Sequence, residues 1–110
     1  MNRSHSLRRD NFQRVWDKGK SWSHPLVVLR ACANEMTDCR FGFVAGKKVG
    51  NAVRRNRIKR LMRESVQHRL DQIQPGWDII LISRTDADDA EFQKIEAAVE
   101  QLLRRANLIR

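Results

Sequence analysis

A chain of 110 residues, 41% hydrophobic and 32% charged, suits one folded domain that closes its core without disulfide or metal staples. Its net charge of +9 and pI near 10.8 point to a polyanionic partner. No apolar run nears the roughly 20 residues of a membrane-spanning helix, and MNRSHSLRRD lacks the apolar segment of a signal peptide, so a cytoplasmic protein is expected.

Residues 1–7 read as a loose basic tail. Leu7 to Lys18 is predicted as a short helix, with Phe12, Val15 and Trp16 at i, i+3 and i+4 on one stripe. Asp10 or Asn11 is its expected cap and Gly19 its stop. Ser21 to Ser23 is a brief extended piece. Pro25 suits a strand start, and Leu26 to Cys32 (LVVLRAC) is the first firm strand. A polar turn over residues 33–38 leads to Arg40 to Ala45 (RFGFVA), expected to pair antiparallel with that strand. On such a hairpin Cys32 and Cys39 could be cross-strand neighbours. Without an export signal, reduced thiols are expected instead, and no second pair completes a zinc site.

The next stretch dominates the chain. Gly46 to Gly50 is a loop carrying Lys47 and Lys48, and Asn51 is a good N-cap. The helix it opens is predicted from Ala52 to Leu70. Ile58, Leu61, Met62, Ser65 and Val66 form its inward stripe, with Leu70 at the border. Val53, Asn56, Arg57, Arg60, Arg63, Glu64 and Gln67 fall on the opposite side, and Arg54 and Arg55 flank the first turns. The window Arg40 to Arg69 holds ten of the 22 Lys/Arg and one of the 13 acids; the twelve cations and twelve acids elsewhere cancel, so the whole +9 lies here. An ordinary solvated helix intersperses acids for i,i+4 pairing. This one has only Glu64, and its crowded cations make sense against phosphates, which arginine's planar fork suits.

Pro75-Gly76 stops the chain, and Trp77 to Ser83 (WDIILIS) is a continuous apolar run, hence a central strand. Asp88 and Glu91 look like the start of a last helix, with Phe92, Ile95, Val99, Leu102, Leu103 and Ala106 as its stripe. The order predicts an α+β fold: a small two-layer sandwich, α-β-β(-β)-α-β-α, as a single domain over residues 1–110. The strand at 40–45, the basic helix and the strand at 77–83 form a β-α-β unit, with helices on one face of the sheet.

Phe12 and Trp16 serve either as core or as a partly open floor on which unpaired bases stack. Trp22 and Trp77 belong to the core or a strand edge. His5, His24 and His68 are scattered, and no two share a motif. Asp86, Asp88, Asp89 and Glu91 suit helix capping better than a cation site. The sequence offers no nucleophile, no Gly-rich phosphate loop and no supported carboxylate pair, so no catalytic residues are expected.

The segment FGFVAGKKVGNAVRRNRIKRLMRES (residues 41–65), with Arg55-Asn56-Arg57 at its centre, resembles the signature of the bacterial ribonuclease P protein subunit family. Leu7-Arg8 followed by Phe12, Val15, Trp16 and Gly19 is similar to the first helix of that family, and residues 76–108 fit its last strand and helix. The resemblance implies a left-handed crossover through the basic helix, against the usual rule. It implies a catalytic RNA partner that holds magnesium ions, with none bound by the protein alone. Lys47, Lys48, Arg54, Arg55, Asn56, Arg57, Lys59, Arg60 and Arg63 would dock on that RNA. Phe12, Trp16, Val28 and Arg30 would hold the single-stranded 5′ leader of precursor tRNA. DNA and membranes are not expected partners. Family members often have an aromatic residue where this chain has Val27 or Arg30, and this chain has no Tyr, so the strand would rely on the cation. A ribosome-associated or assembly RNA-binding protein is the alternative, and a self-contained nuclease the third class.

Overall fold

The structure is a computed structural model that describes residues 4–84 and 91–109. A strand β1 (Ser4–Ser6) precedes helix α1 (Arg9–Lys18). Strands β2 (Lys20–Ser23), β3 (Val27–Ala33) and β4 (Cys39–Ala45) follow. After a 3-10 turn at Lys47–Val49 come helix α2 (Ala52–Gln67), a second 3-10 turn at Leu70–Gln72, strand β5 (Trp77–Ser83) and helix α3 (Phe92–Arg105).

The five strands lie in the order β1-β4-β5-β3-β2. The expected hairpin between β3 and β4 is therefore not formed, because β5 sits between them. It pairs antiparallel with β3 (Arg30 opposite Ile80) and parallel with β4 (Gly42 opposite Ile80). The reason lies in β5 itself: five of its seven residues are buried, so an edge position would strip apolar surface that a central one covers. The β3–β4 turn closes by other means. The Asn34 side-chain oxygen accepts from the Met36 amide at 2.8 Å, and the Asn34 amide reaches Gly76 O at 2.8 Å. Cys32 and Cys39 consequently lie on strands that do not touch, and both are free thiols. Ser4–Ser6, assigned to a loose tail from the sequence, instead pairs parallel with β4 at the sheet edge.

The strands alternate strictly between two faces. Leu29, Ala31, Phe41, Ile79 and Leu81 point to one side, where they join Ile58, Met62 and Val66 of α2 and Ile95, Val99, Leu102 and Leu103 of α3 in the main core. Every residue of the predicted α2 stripe is buried: Ile58, Leu61, Met62, Ser65 and Val66. The helix ends three residues earlier than expected, and Leu70 opens the following 3-10 turn. The helices were expected on one face, yet the other face is covered too. It carries α1, whose Val15 is fully buried and whose Phe12 ring lies within 3.2 Å of where a side chain on Gly42 would begin. Gly42 thus lets the helix approach the sheet. Helix α1 starts after Arg8, with no side-chain cap from either Asp10 or Asn11.

Candidate nucleic-acid interface

Helix α2 is aimed by its N-terminal end. The Asn51 side-chain oxygen accepts from the Arg54 amide at 3.0 Å, which fixes the first turn. Gly50 precedes it at φ +146, a conformation that L side chains rarely adopt, and a side chain there would meet Arg54. With the apolar stripe buried, the other side faces solvent. Asn56, Arg57, Arg60 and Arg63 are exposed, and with Val53 and Lys59 they line a shallow groove of about 650 Å³. Arg54 is exposed, whereas Arg55 is half-buried. The Arg63 guanidinium lies over the Phe43 ring at 5.3 Å, tying this ridge to the sheet. Val53, 77% exposed, places an apolar surface among the cations. Lys47 and Lys48 share the 3-10 turn just before the helix; the side chain of Lys47 lies outside the described residues, and Lys48 is exposed.

The α1 side is built from sheet rows. Across β3, β5 and β4 the register gives the rows Cys32–Asp78–Arg40, Arg30–Ile80–Gly42 and Val28–Ile82–Val44. Helix α1 covers the first two. Its Arg14 bonds Asp78, its Phe12 abuts Gly42, and its Trp16 meets Arg30. The third row stays half-open and forms an apolar floor beside Phe12 and Trp16. Those two rings stack at 5.9 Å with 11° between planes, and Trp16 is 44% exposed. So Phe12, Trp16 and Val28 are brought to one cleft. Val44 and Ile82 belong to it as well, and only the strand register reveals them. Exposed Arg84 follows directly after β5.

Arg30 sits at the inner wall with its guanidinium engaged. It donates to Ser21 Oγ at 2.6 Å, to Trp16 O at 2.6 Å and to Gly19 O at 3.0 Å, and lies 5.8 Å from the Trp16 ring centre. The floor is the last row before the C-terminal ends of β4 and β5, where the Lys47–Val49 turn and the start of α2 also lie. The aromatic cleft and the basic helix, far apart in sequence, thus meet at one end of the sheet.

A buried ion cluster fixes α1 over the sheet. Asp78 has no exposed side-chain area and accepts from Arg40 at 2.8 and 2.7 Å, from Arg14 at 2.5 Å and from Asn34 at 2.8 Å. Burial alone would raise its pKa, but the bonds from Arg40, Asn34 and Arg14 and the charge of Arg40 outweigh that and lower it. Burial pushes the Cys39 thiol up, and it donates to Gln74 O at 3.0 Å, which marks a structural, unreactive thiol. The pKa of His24 is lowered by burial and by Arg105, and its Nδ1 accepts from the Leu26 amide at 3.0 Å, a structural role. His68 pairs with Glu96 at 2.6 Å across the α2–α3 contact. Asp86, Asp88 and Asp89 lie outside the described residues, and Glu91 precedes α3 without a side-chain capping bond. Among the described residues no group of three His, Cys, Asp or Glu side chains is placed to hold a metal ion, and no helix is long and apolar enough to cross a membrane.

Comparison with known proteins adds the following. Residues 1–107 match the family model described as Ribonuclease P. A ribonuclease P protein component from Herpetosiphon aurantiacus is 44% identical over 109 residues, covering 98% of this chain and 89% of that one. The structure of Staphylococcus aureus RNase P protein superposes with a TM-score of 0.89 at 34% identity, covering 98% of this chain and all of the other. A second Staphylococcus aureus structure, of an RNase P protein mutant with defective mRNA degradation activity, gives 0.88 at 34% identity over 96% of this chain and 90% of that one.

Proposed function

The chain belongs to the ribonuclease P protein family, and from that premise we propose that it binds the catalytic RNA of the enzyme and the 5′ leader of precursor tRNA. It supports endonucleolytic removal of that leader. The basic residues of α2 and the preceding turn dock on the RNA subunit, together with Asn56: Lys47, Lys48, Arg54, Arg55, Arg57, Lys59, Arg60 and Arg63. Phe12, Trp16, Val28 and Arg30 make up the leader side, with Val44 and Ile82 as floor. The single observation that carries this reading is the convergence of a cation ridge and an open aromatic cleft at one end of the sheet. Phosphates neutralise the ridge, and unpaired bases stack in the cleft at about 1–3 kcal/mol each. The catalytic magnesium ions belong, on this reading, to the RNA. The protein screens phosphate repulsion between ribozyme and substrate and so lowers the magnesium needed.

The test is cleavage of precursor tRNA at limiting magnesium by the protein, by RNase P RNA and by both. Cleavage at the mature 5′ end by the pair, but by neither alone, is expected. Protein that gives the RNA no help would overturn the reading. A second reading is favoured by the Staphylococcus aureus relative whose mutant is defective in mRNA degradation: the chain degrades mRNA without the ribozyme. Loss of an unstructured mRNA incubated with the protein alone would establish it. Family membership displaces the ribosome-associated alternative.

A further inference from the structure

Arg30 stands on β3 at the wall of the cleft, where a cation would ordinarily be taken as a phosphate contact. Its donors are directed elsewhere. An arginine has five N–H groups. Both of those on Nη2 are directed at backbone carbonyls, Trp16 O and Gly19 O; one on Nη1 goes to Ser21 Oγ; and Nε is buried with no hydrogen-bond partner. One N–H remains, which cannot present the fork that grips a phosphate. The two carbonyls lie at the C-terminal end of α1, where orphan acceptors and negative dipole charge favour a cation. The same guanidinium lies over the Trp16 ring.

We propose that Arg30 is a positioning residue: it ties the last turn of α1 to the sheet and holds Trp16 in the orientation that unpaired leader bases meet. This rests on the leader-binding reading and sharpens it, since the strand-side cation serves the leader through Trp16 and not by touching phosphate. Lysine keeps the charge but cannot bond three acceptors in one plane while lying over the ring.

The test uses the reconstituted holoenzyme and the ratio of affinities for precursor tRNA with and without its leader, measured across a salt series. Arg30→Gln should cut that ratio about fivefold, the size of one cation–π contact plus a helix-end interaction. Arg30→Lys should fail to restore it, and the salt slope should not change. In a Trp16→Ala background the Arg30→Gln change should become silent. A direct phosphate contact would give the opposite pattern: Arg30→Lys near wild type, and a salt slope for Arg30→Gln shallower by about 0.7. An undiminished Arg30→Gln effect in Trp16→Ala would also overturn the proposal. Should Arg30→Gln not fold, the Lys variant alone separates the two patterns. If Trp16→Ala itself leaves the ratio unchanged, the leader-binding reading fails and the role of Arg30 with it, a result distinct from the other two.

Discussion

Asp78 shows what one residue does for this molecule. It interrupts an otherwise apolar strand, and its carboxylate receives bonds from α1, β4 and the β3–β4 turn. Removing one partner of a buried pair costs about 3–5 kcal/mol, discounted here to about 2–3 because Arg14 and Arg40 still reach water. Asp78→Asn should therefore lower the melting temperature by about 10 °C near neutral pH, which calorimetry would read. The pH dependence follows from the lowered folded-state pKa. The unfolded value is near 3.9, so the stabilisation is complete above about pH 4 and is lost as pH falls through the lower folded value. The wild type should lose stability on acidification below pH 4, and Asp78→Asn should lose less over the same range. None of this was legible in WDIILIS, because the partners of Asp78 are 38, 44 and 64 residues away in sequence.

At the scale of elements, helix α2 was read almost whole. Its stripe and solvent-facing cations follow from a 3.6-residue period and its Asn51 cap from side-chain chemistry, and both rules are local. Strand neighbours obey no local rule, so the sequence paired β3 with β4 and missed β5 between them. The third sheet row was lost with that error, and Val44 and Ile82 went unassigned. The length of α1 was overestimated because Leu7 is apolar; its amide instead bonds Phe41 O and prolongs the β1 edge. Two predictions belong here. Phe12→Ala removes half of the stacked pair and should weaken binding of leader-bearing precursor by about 5–100-fold, against little change for a leaderless one. Equal losses for both substrates would mean that Phe12 only supports the fold. Asn51→Ala should cost about 1 kcal/mol of stability and loosen the turn that carries Arg54. A melt together with the affinity for RNase P RNA would show whether the two effects travel together.

For the whole molecule the question is why an entire net charge of +9 is held within thirty residues. Concentrated like charge strains a fold by self-repulsion, and folding itself gains nothing from it. On the proposed reading the gain comes on assembly, when counterions condensed on RNA are released. On the same reading two polyanions, ribozyme and substrate, approach one another, and magnesium and the protein are alternative means of screening them. Removing charge from the α2 ridge should therefore be reversible by magnesium. Arg57→Ala with Arg60→Ala should raise the magnesium concentration needed for half-maximal cleavage and flatten the salt dependence of RNA binding by about 1.8 in slope. Saturating magnesium should restore the rate. Phe12→Ala should behave differently, since its defect is lost stacking: magnesium should compensate it poorly, and only substrates with a leader should show it. A magnesium titration of both variants on both substrates separates charge from stacking. If magnesium rescued the two variants alike, the division of labour between α2 and α1 would be wrong. The convergence of ridge and cleft at the C-terminal ends of β4 and β5 would then serve a single RNA contact in place of two.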